Sequence, residues 1–176
     1  MPYNHKQSSS EKYLIVVNNK EMRLSEEQIG KLIKKKLKSS RVVNKIFKEF
    51  EVSIDQVDNL IIDISDLDGR YAETDLTTMT IDPSIVEDVL TTNFFIVLHE
   101  ICGHFTTRRA EEKSFFADPE EVFGMVAGCA GMLEQGYDFD TIYNIMWPKI
   151  EFHFHDTDDA RRVMKRIFIR AKKMLQ

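Results

Sequence analysis

Two histidines and one glutamate lie close together in the middle of the sequence, directly after an apolar run. Residues 94–98 are all apolar, His99 and Glu100 follow them, and His104 stands five positions after His99. Imidazole nitrogens and carboxylate oxygens are typical ligands of catalytic zinc, which takes three protein ligands and leaves one position open for water. A carboxylate beside such a metal accepts the proton of the bound water. These residue types therefore indicate hydrolysis by a metal-activated water.

The spacing of the two histidines requires an unusual helix. Histidines four residues apart lie about 40° apart around a regular α-helix, whereas histidines five apart lie about 140° apart. A π-bulge, with hydrogen bonds between residues i and i+5, brings such residues back into line. Gly103 stands where the backbone must distort, and glycine tolerates distortion best. The sequence therefore predicts a π-bulge between His99 and His104.

A second helix is predicted to begin at residue 118, to run to Glu134 and to end at Gly136. Asp118 is a typical N-cap, Pro119 suits the first helical position, and two acidic residues follow in the first turn. Four small residues come next on this helix: Gly124, Ala127, Gly128 and Gly131. Because small side chains let helices approach closely, we expect this helix to pack on the one that carries the histidines.

The stretch His99-Glu100-Ile101-Cys102-Gly103-His104 resembles the His-Glu-x-x-Gly-His signature of dipeptidyl peptidase III, within the gluzincin class of zinc metallopeptidases. The resemblance implies one zinc ion (Zn2+) per chain, with His99 and His104 as metal ligands and Glu100 as the general base. In that class a glutamate on a following helix is the third ligand, which implies Glu121 here. The neighbouring Glu120 stays open as the alternative third ligand. The implied fold is a minimal zincin-like domain, because the chain is much shorter than the two-lobed enzyme.

Simpler explanations of the same residues stay open. In one alternative, the two histidines have unrelated roles. In another, Glu120 and Glu121 serve only to stabilise the N-terminus of a helix. Cys102 is expected to be a small core residue. Four further residues are candidates for polarising a substrate carbonyl, namely Tyr137, Tyr143, His153 and His155. The two histidines of this group are also open as a replacement for the third ligand.

The order of the predicted elements indicates an α+β fold. Strands are predicted at residues 12–18, 59–65 and 77–82, the last returning from a turn at Asp68 and Gly69. Helices are predicted from Ser25 past Leu37 and at 40–50, 83–105, 118–134 and 158–175. One more helix is predicted from residue 140, interrupted by Pro148 before an extended segment at 150–154. We expect a small mixed or antiparallel sheet packed on the active-site helix, followed by C-terminal helices. Residues 1–11 are expected to be a flexible tail and residues 12–176 a single domain.

Composition and charge narrow the class of protein. The 176 residues carry a net charge of −5, include two cysteines and contain no apolar run longer than five residues. We therefore expect a cytoplasmic protein without a membrane anchor or a disulfide scaffold. Residues 31–48 hold eight basic and no acidic side chains. These basic side chains keep a nucleic-acid-binding module open as an alternative. It is less favoured, because the block contains no recognised nucleic-acid-binding motif.

The expected partner is a peptide or protein substrate. We expect the strand at 77–82 to lie beside the active-site cleft and to pair with an extended peptide. Residues 51–93 contain eleven acidic side chains and one basic side chain, Arg70, so these surroundings favour basic substrates. A non-catalytic regulator that keeps a zincin-like fold for binding proteins is a further alternative.

Overall fold

Two small β-sheets and a series of helices form the fold, which confirms the α+β class. The computed structural model describes residues 12–17, 20–106, 120–151 and 157–176. Strands β1 (Tyr13–Val17) and β2 (Lys20–Leu24) form an antiparallel pair. A second sheet has three strands, which are β3 (Ile61–Ile64), β4 (Ala72–Thr74) and β5 (Thr78–Ile81). Strands β2 and β4 are not predicted, because β2 is rich in charged residues and β4 has only three residues.

The three-stranded sheet is mixed, with β5 in the centre. Strand β5 runs parallel to β3 and antiparallel to β4. The predicted direct return from the turn at Asp68 and Gly69 into β5 is wrong, because β4 makes the return and β5 reverses direction again. The turn itself is present, and both of its residues have a positive φ, 51° for Asp68 and 87° for Gly69.

The first two helices follow the predicted boundaries closely. Helix α1 (Glu26–Ser39) begins with a capping box between Ser25 and Gln28, and α2 (Arg41–Glu49) begins at Ser40, whose hydroxyl accepts from the Val43 amide. A short helix α3 (Gln56–Asn59) precedes β3. The apolar faces of α1 and α2 are buried as the helical spacing predicts, at Ile29, Ile33, Leu37, Val42, Val43, Ile46 and Phe47.

The stretch at 83–105 is helical at both ends, as predicted, but it is interrupted between Asp88 and Phe94. A 3₁₀ helix (Pro83–Asp88) comes first, and helix α4 (Phe94–Leu98) then leads into a π-helix (His99–Phe105). Between them the backbone oxygen of Asp88 accepts from the amides of Thr91 and Asn93 and from the Thr91 hydroxyl. Threonine hydroxyls that bond to nearby backbone compete with helix formation, which explains the interruption.

Three helices complete the chain: α5 (Glu120–Glu134), α6 (Phe139–Glu151) and α7 (Thr157–Met174). The predicted start of α5 at Asp118 and Pro119 lies outside the described residues. Helix α5 ends as predicted, with Gly136 at φ 88°. Helix α5 contacts the π-helix, α4, α2 and α7. It is therefore the central helix of this part of the fold.

Helix α6 continues past Pro148, so the predicted interruption there is wrong. Residues 150 and 151 are helical, whereas an extended segment over 150–154 is predicted. Pro148 lies in the last turn, where its missing amide removes one hydrogen bond close to a helix end that is already losing bonds. His153 and His155 lie outside the described residues.

Within the parts of the chain that the structure describes, every helix is too short or too polar to cross a bilayer.

Candidate metal centre

The helix that carries the two histidines changes its winding at His99. Winding is α up to Leu98 and π from His99 to Phe105. At the end of the π-helix the Thr106 amide donates to the carbonyl oxygen of Ile101, five residues earlier. The Thr106 hydroxyl, which is fully buried, donates to the same oxygen at 2.7 Å. The predicted π-bulge between His99 and His104 is thus confirmed.

The π winding brings the two imidazoles to one side of the helix. The Nε2 atoms of His99 and His104 lie 3.3 Å apart, and the rings are tilted by 60°. With zinc–nitrogen bonds of about 2.0–2.1 Å and tetrahedral angles, two imidazole nitrogens on one zinc ion lie about 3.3–3.4 Å apart. The pair therefore fits a shared tetrahedral metal. In metal-free protein the same distance allows one ring to donate a hydrogen bond to the other.

Glu100 lies beside this pair and is largely buried, with 8% of its surface exposed. One ligand atom each of His99, Glu100 and His104 lie within 4.8 Å of one another, and this group could hold a metal ion. A carboxylate at this distance is within reach of a water on a metal held by the two histidines. The structure therefore brings together three of the four residues that the sequence assigns to the site.

Helix α5 packs directly against the helix that carries the histidines, as its small residues predict. A Cβ placed on Gly124 would lie 2.7 Å from Nδ1 of His99, and one on Gly128 would lie 2.8 Å from the carbonyl oxygen of Phe95. A Cβ on Gly131 would lie 1.9 Å from a methyl carbon of Leu98. The backbone of α5 thus contacts both the ring and the helix backbone at His99.

The third ligand is not settled by the described side chains. Residues 120 and 121 form the start of α5, about one turn before Gly124, which contacts His99. Their side chains lie outside the described part of the structure, so the assignment of Glu121, with Glu120 as the alternative, stays a prediction. The same holds for His153 and His155.

The two tyrosines that the sequence proposes for polarising a carbonyl are placed elsewhere. Tyr137 lines a different pocket, which it shares with Lys36 and Gln135. The ring of Tyr143 stacks on Trp147 at a centroid distance of 4.9 Å. Neither tyrosine lines the pocket at Glu100 and His104.

An open pocket of about 610 Å³ adjoins Glu100 and His104. Its other walls come from β4, β5 and the preceding loop, with the residues Arg70, Ala72, Glu73, Thr74, Asp75, Thr78 and Thr80. The expectation that the strand at 77–82 lies beside the site is supported, because β5 contributes two of these side chains. The expected pairing of this strand with an extended peptide is wrong, because β5 already pairs with β3 on one side and with β4 on the other. Strand β4 is the edge strand next to the π-helix, which the sequence does not predict.

Charges in this pocket are mostly negative. Glu73 and Asp75 contribute carboxylates in addition to Glu100, and Arg70 forms an ion pair with Glu73. Asp75 also accepts hydrogen bonds from the amides of Thr77 and Thr78, which fixes the turn between β4 and β5. Arg70 is detectable in the sequence as the only basic residue among many acidic ones, but nothing local links it to the histidines.

The two cysteines are core residues, as expected for Cys102. Both are fully buried and free. Burial raises the pKa of the Cys102 thiol well above its usual range and that of Cys129 to about 12. Both therefore stay protonated at neutral pH in the metal-free protein, which argues against nucleophilic chemistry by either thiol.

Comparisons with known protein families, curated proteins and solved structures found no significant match. The resemblance to the gluzincin signature therefore stays a prediction from the residues.

Proposed function

We propose that the chain is a zinc-dependent metallopeptidase of gluzincin type that hydrolyses peptide bonds. The observation that supports this proposal is the π-helix, which brings the Nε2 atoms of His99 and His104 to 3.3 Å with the buried Glu100 beside them. Two imidazoles at a distance that suits one shared zinc ion, with a carboxylate beside them, supply two of the three ligands of a catalytic zinc and a general base.

The proposed roles follow from the chemistry of each side chain. His99 and His104 hold the metal through Nε2, and Glu121 is the proposed third ligand, with Glu120 as the alternative. Zinc held there would supply an activated water at neutral pH. Glu100 would accept a proton from that water and pass it to the leaving amine.

The pocket beside the site supports a peptide or protein substrate of basic character. It is open, it is bordered by the edge strand β4, and its carboxylates at Glu73 and Asp75 outnumber the single guanidinium of Arg70. Extended peptides can add to the edge of a sheet through main-chain hydrogen bonds, and carboxylates attract their cationic side chains. Reduced, buried cysteines are in keeping with the proposed cytoplasmic location.

Metal content tests the proposal. We expect about one zinc ion per chain in the purified protein by elemental analysis, and loss of that zinc in the His104→Ala variant. His5→Ala is the matched control, because His5 belongs to no predicted site, and it is expected to keep the metal. A wild-type protein that takes up no zinc even when zinc is supplied would refute the proposal.

Nucleic-acid binding by residues 31–48 receives no support from the contacts of these side chains. Lys31 and Lys38 form ion pairs with Glu27 and Asp58, and Lys36 donates to the Leu90 carbonyl. Several members of the block are thus used within the chain rather than presented as one basic surface. A non-catalytic regulator would differ from the proposed enzyme by binding zinc without cleaving any peptide.

A further inference from the structure

Gly124 lies directly against the imidazole of His99, over the face of the ring at Nδ1. An ideal Cβ at position 124 would lie 2.7 Å from Nδ1, 3.0 Å from Cε1 and 3.0 Å from Cγ of that ring. Carbon atoms do not approach ring atoms so closely, so the ring occupies space that any other residue at position 124 would fill. The other ring nitrogen of His99, Nε2, lies 3.3 Å from Nε2 of His104.

A residue larger than glycine at position 124 would require either helix α5 or the His99 ring to move. The His99 amide donates to the Phe95 and Ile96 carbonyls, which holds the backbone of the histidine in the helix. Gly128 lies against that same Phe95 carbonyl, and Gly131 lies against Leu98. Helix α5 therefore packs on α4 at two further positions. Moving α5 away would open this packing, and therefore a side chain at position 124 displaces the ring of His99.

From these contacts we infer that Gly124 is a positioning residue for the metal site. Because Gly124 has no Cβ, the backbone of α5 packs directly on the His99 ring. This contact holds the ring at a distance from His104 that lets both imidazoles bind one zinc ion. This inference rests on the proposed metal centre. It adds a residue outside the signature, from another helix, whose role is steric and which does not itself bind the metal.

The test compares two glycine variants of the full chain, Gly124→Ala and Gly131→Ala. Both add one methyl group to the same face of α5, but at position 131 the methyl meets the flexible end of Leu98 rather than a ligand ring. Zinc affinity is measured by competition with a chromophoric chelator, and thermal stability of the metal-free protein is measured alongside. We expect zinc binding about 10- to 100-fold weaker in Gly124→Ala, as for other groups that orient a ligand histidine. We expect an affinity close to wild type in Gly131→Ala, even if its stability falls.

Cobalt(II) absorption adds a readout that a general loss of stability does not change. Gly124→Ala is expected to alter the cobalt ligand-field bands, which report coordination geometry, whereas Gly131→Ala is expected to keep them. Equal zinc affinities and equal cobalt spectra in Gly124→Ala and wild type would overturn the inference while leaving the proposed function intact. Failure of the wild-type protein to bind zinc would instead overturn the proposed function.

The contact itself is measured in the wild-type protein in case Gly124→Ala does not fold. In the zinc-loaded protein, NMR is expected to show a nuclear Overhauser effect between the α-protons of Gly124 and Hε1 of His99. Absence of this cross-peak in assigned spectra would overturn the inference.

Discussion

Glu100 is the residue whose role is easiest to separate from metal binding. The side chain is largely buried next to the two histidines. Glu100→Gln keeps its size and removes the proton acceptor, so we expect full zinc content and a loss of peptide cleavage of about 10²- to 10⁴-fold. The measurement is cleavage of a library of basic peptides together with elemental analysis.

Glu27→Gln is the matched control, because Glu27 is exposed and forms an ion pair with Lys31, away from the histidines. It is expected to change neither zinc content nor cleavage. Loss of zinc in Glu100→Gln would make Glu100 a ligand, and undiminished cleavage would exclude it as the base.

Among the elements, the π-helix ends with two hydrogen bonds to the carbonyl oxygen of Ile101. The amide and the buried hydroxyl of Thr106 both donate to the Ile101 oxygen. Thr106→Val keeps the shape and removes the hydroxyl, so we expect the free energy of unfolding to fall by about 1 kcal/mol in urea titrations.

Thr91→Val is the comparison variant for this prediction. The Thr91 hydroxyl is only half-buried, and its bonds to Asp88 are longer, at 3.2 and 3.3 Å. Its removal is expected to cost less than removal of the Thr106 hydroxyl. A Thr106→Val protein as stable as wild type would show that the hydroxyl is not needed to end the π-helix.

The elements also show how far sequence reasoning reaches. Helices α1 and α2 and the π-bulge are predictable, because caps, apolar spacing and the five-residue histidine gap are local signals. Strand β4 and the parallel pairing of β5 with β3 are not, because three residues carry no periodicity and pairing is set by tertiary contacts. The pocket is not predictable for the same reason. Arg70 and Glu73 line one pocket with His104 only because tertiary packing places the sheet beside the π-helix.

For the molecule as a whole, a metal at this site would link two of the best-packed helices. Helix α5, which bears the proposed third ligand, contacts α2, α4, α7 and the π-helix. A ligand that binds only the folded state at about 100 times its Kd stabilises that state by about 2.7 kcal/mol. In a domain of this size we expect zinc to raise the Tm by about 5–10 °C.

Calorimetry with and without zinc measures this shift. Magnesium is the control ion, because it prefers oxygen ligands in octahedral geometry and is expected to leave the Tm unchanged. The His104→Ala protein is expected not to respond to zinc. An equal response of this variant and the wild type would place the stabilising metal elsewhere.

The π-helix also makes two different sequence spacings equivalent in space. One wide turn absorbs one extra residue, so His104 takes the rotational position that the fourth residue after His99 would have in a regular α-helix. Deleting Gly103 would shorten the motif to His-Glu-Ile-Cys-His, the interval at which a regular α-helix presents two histidines to one ion. A sequence pattern that fixes the interval at four therefore overlooks centres built in this way, although the donor atoms converge in the same manner.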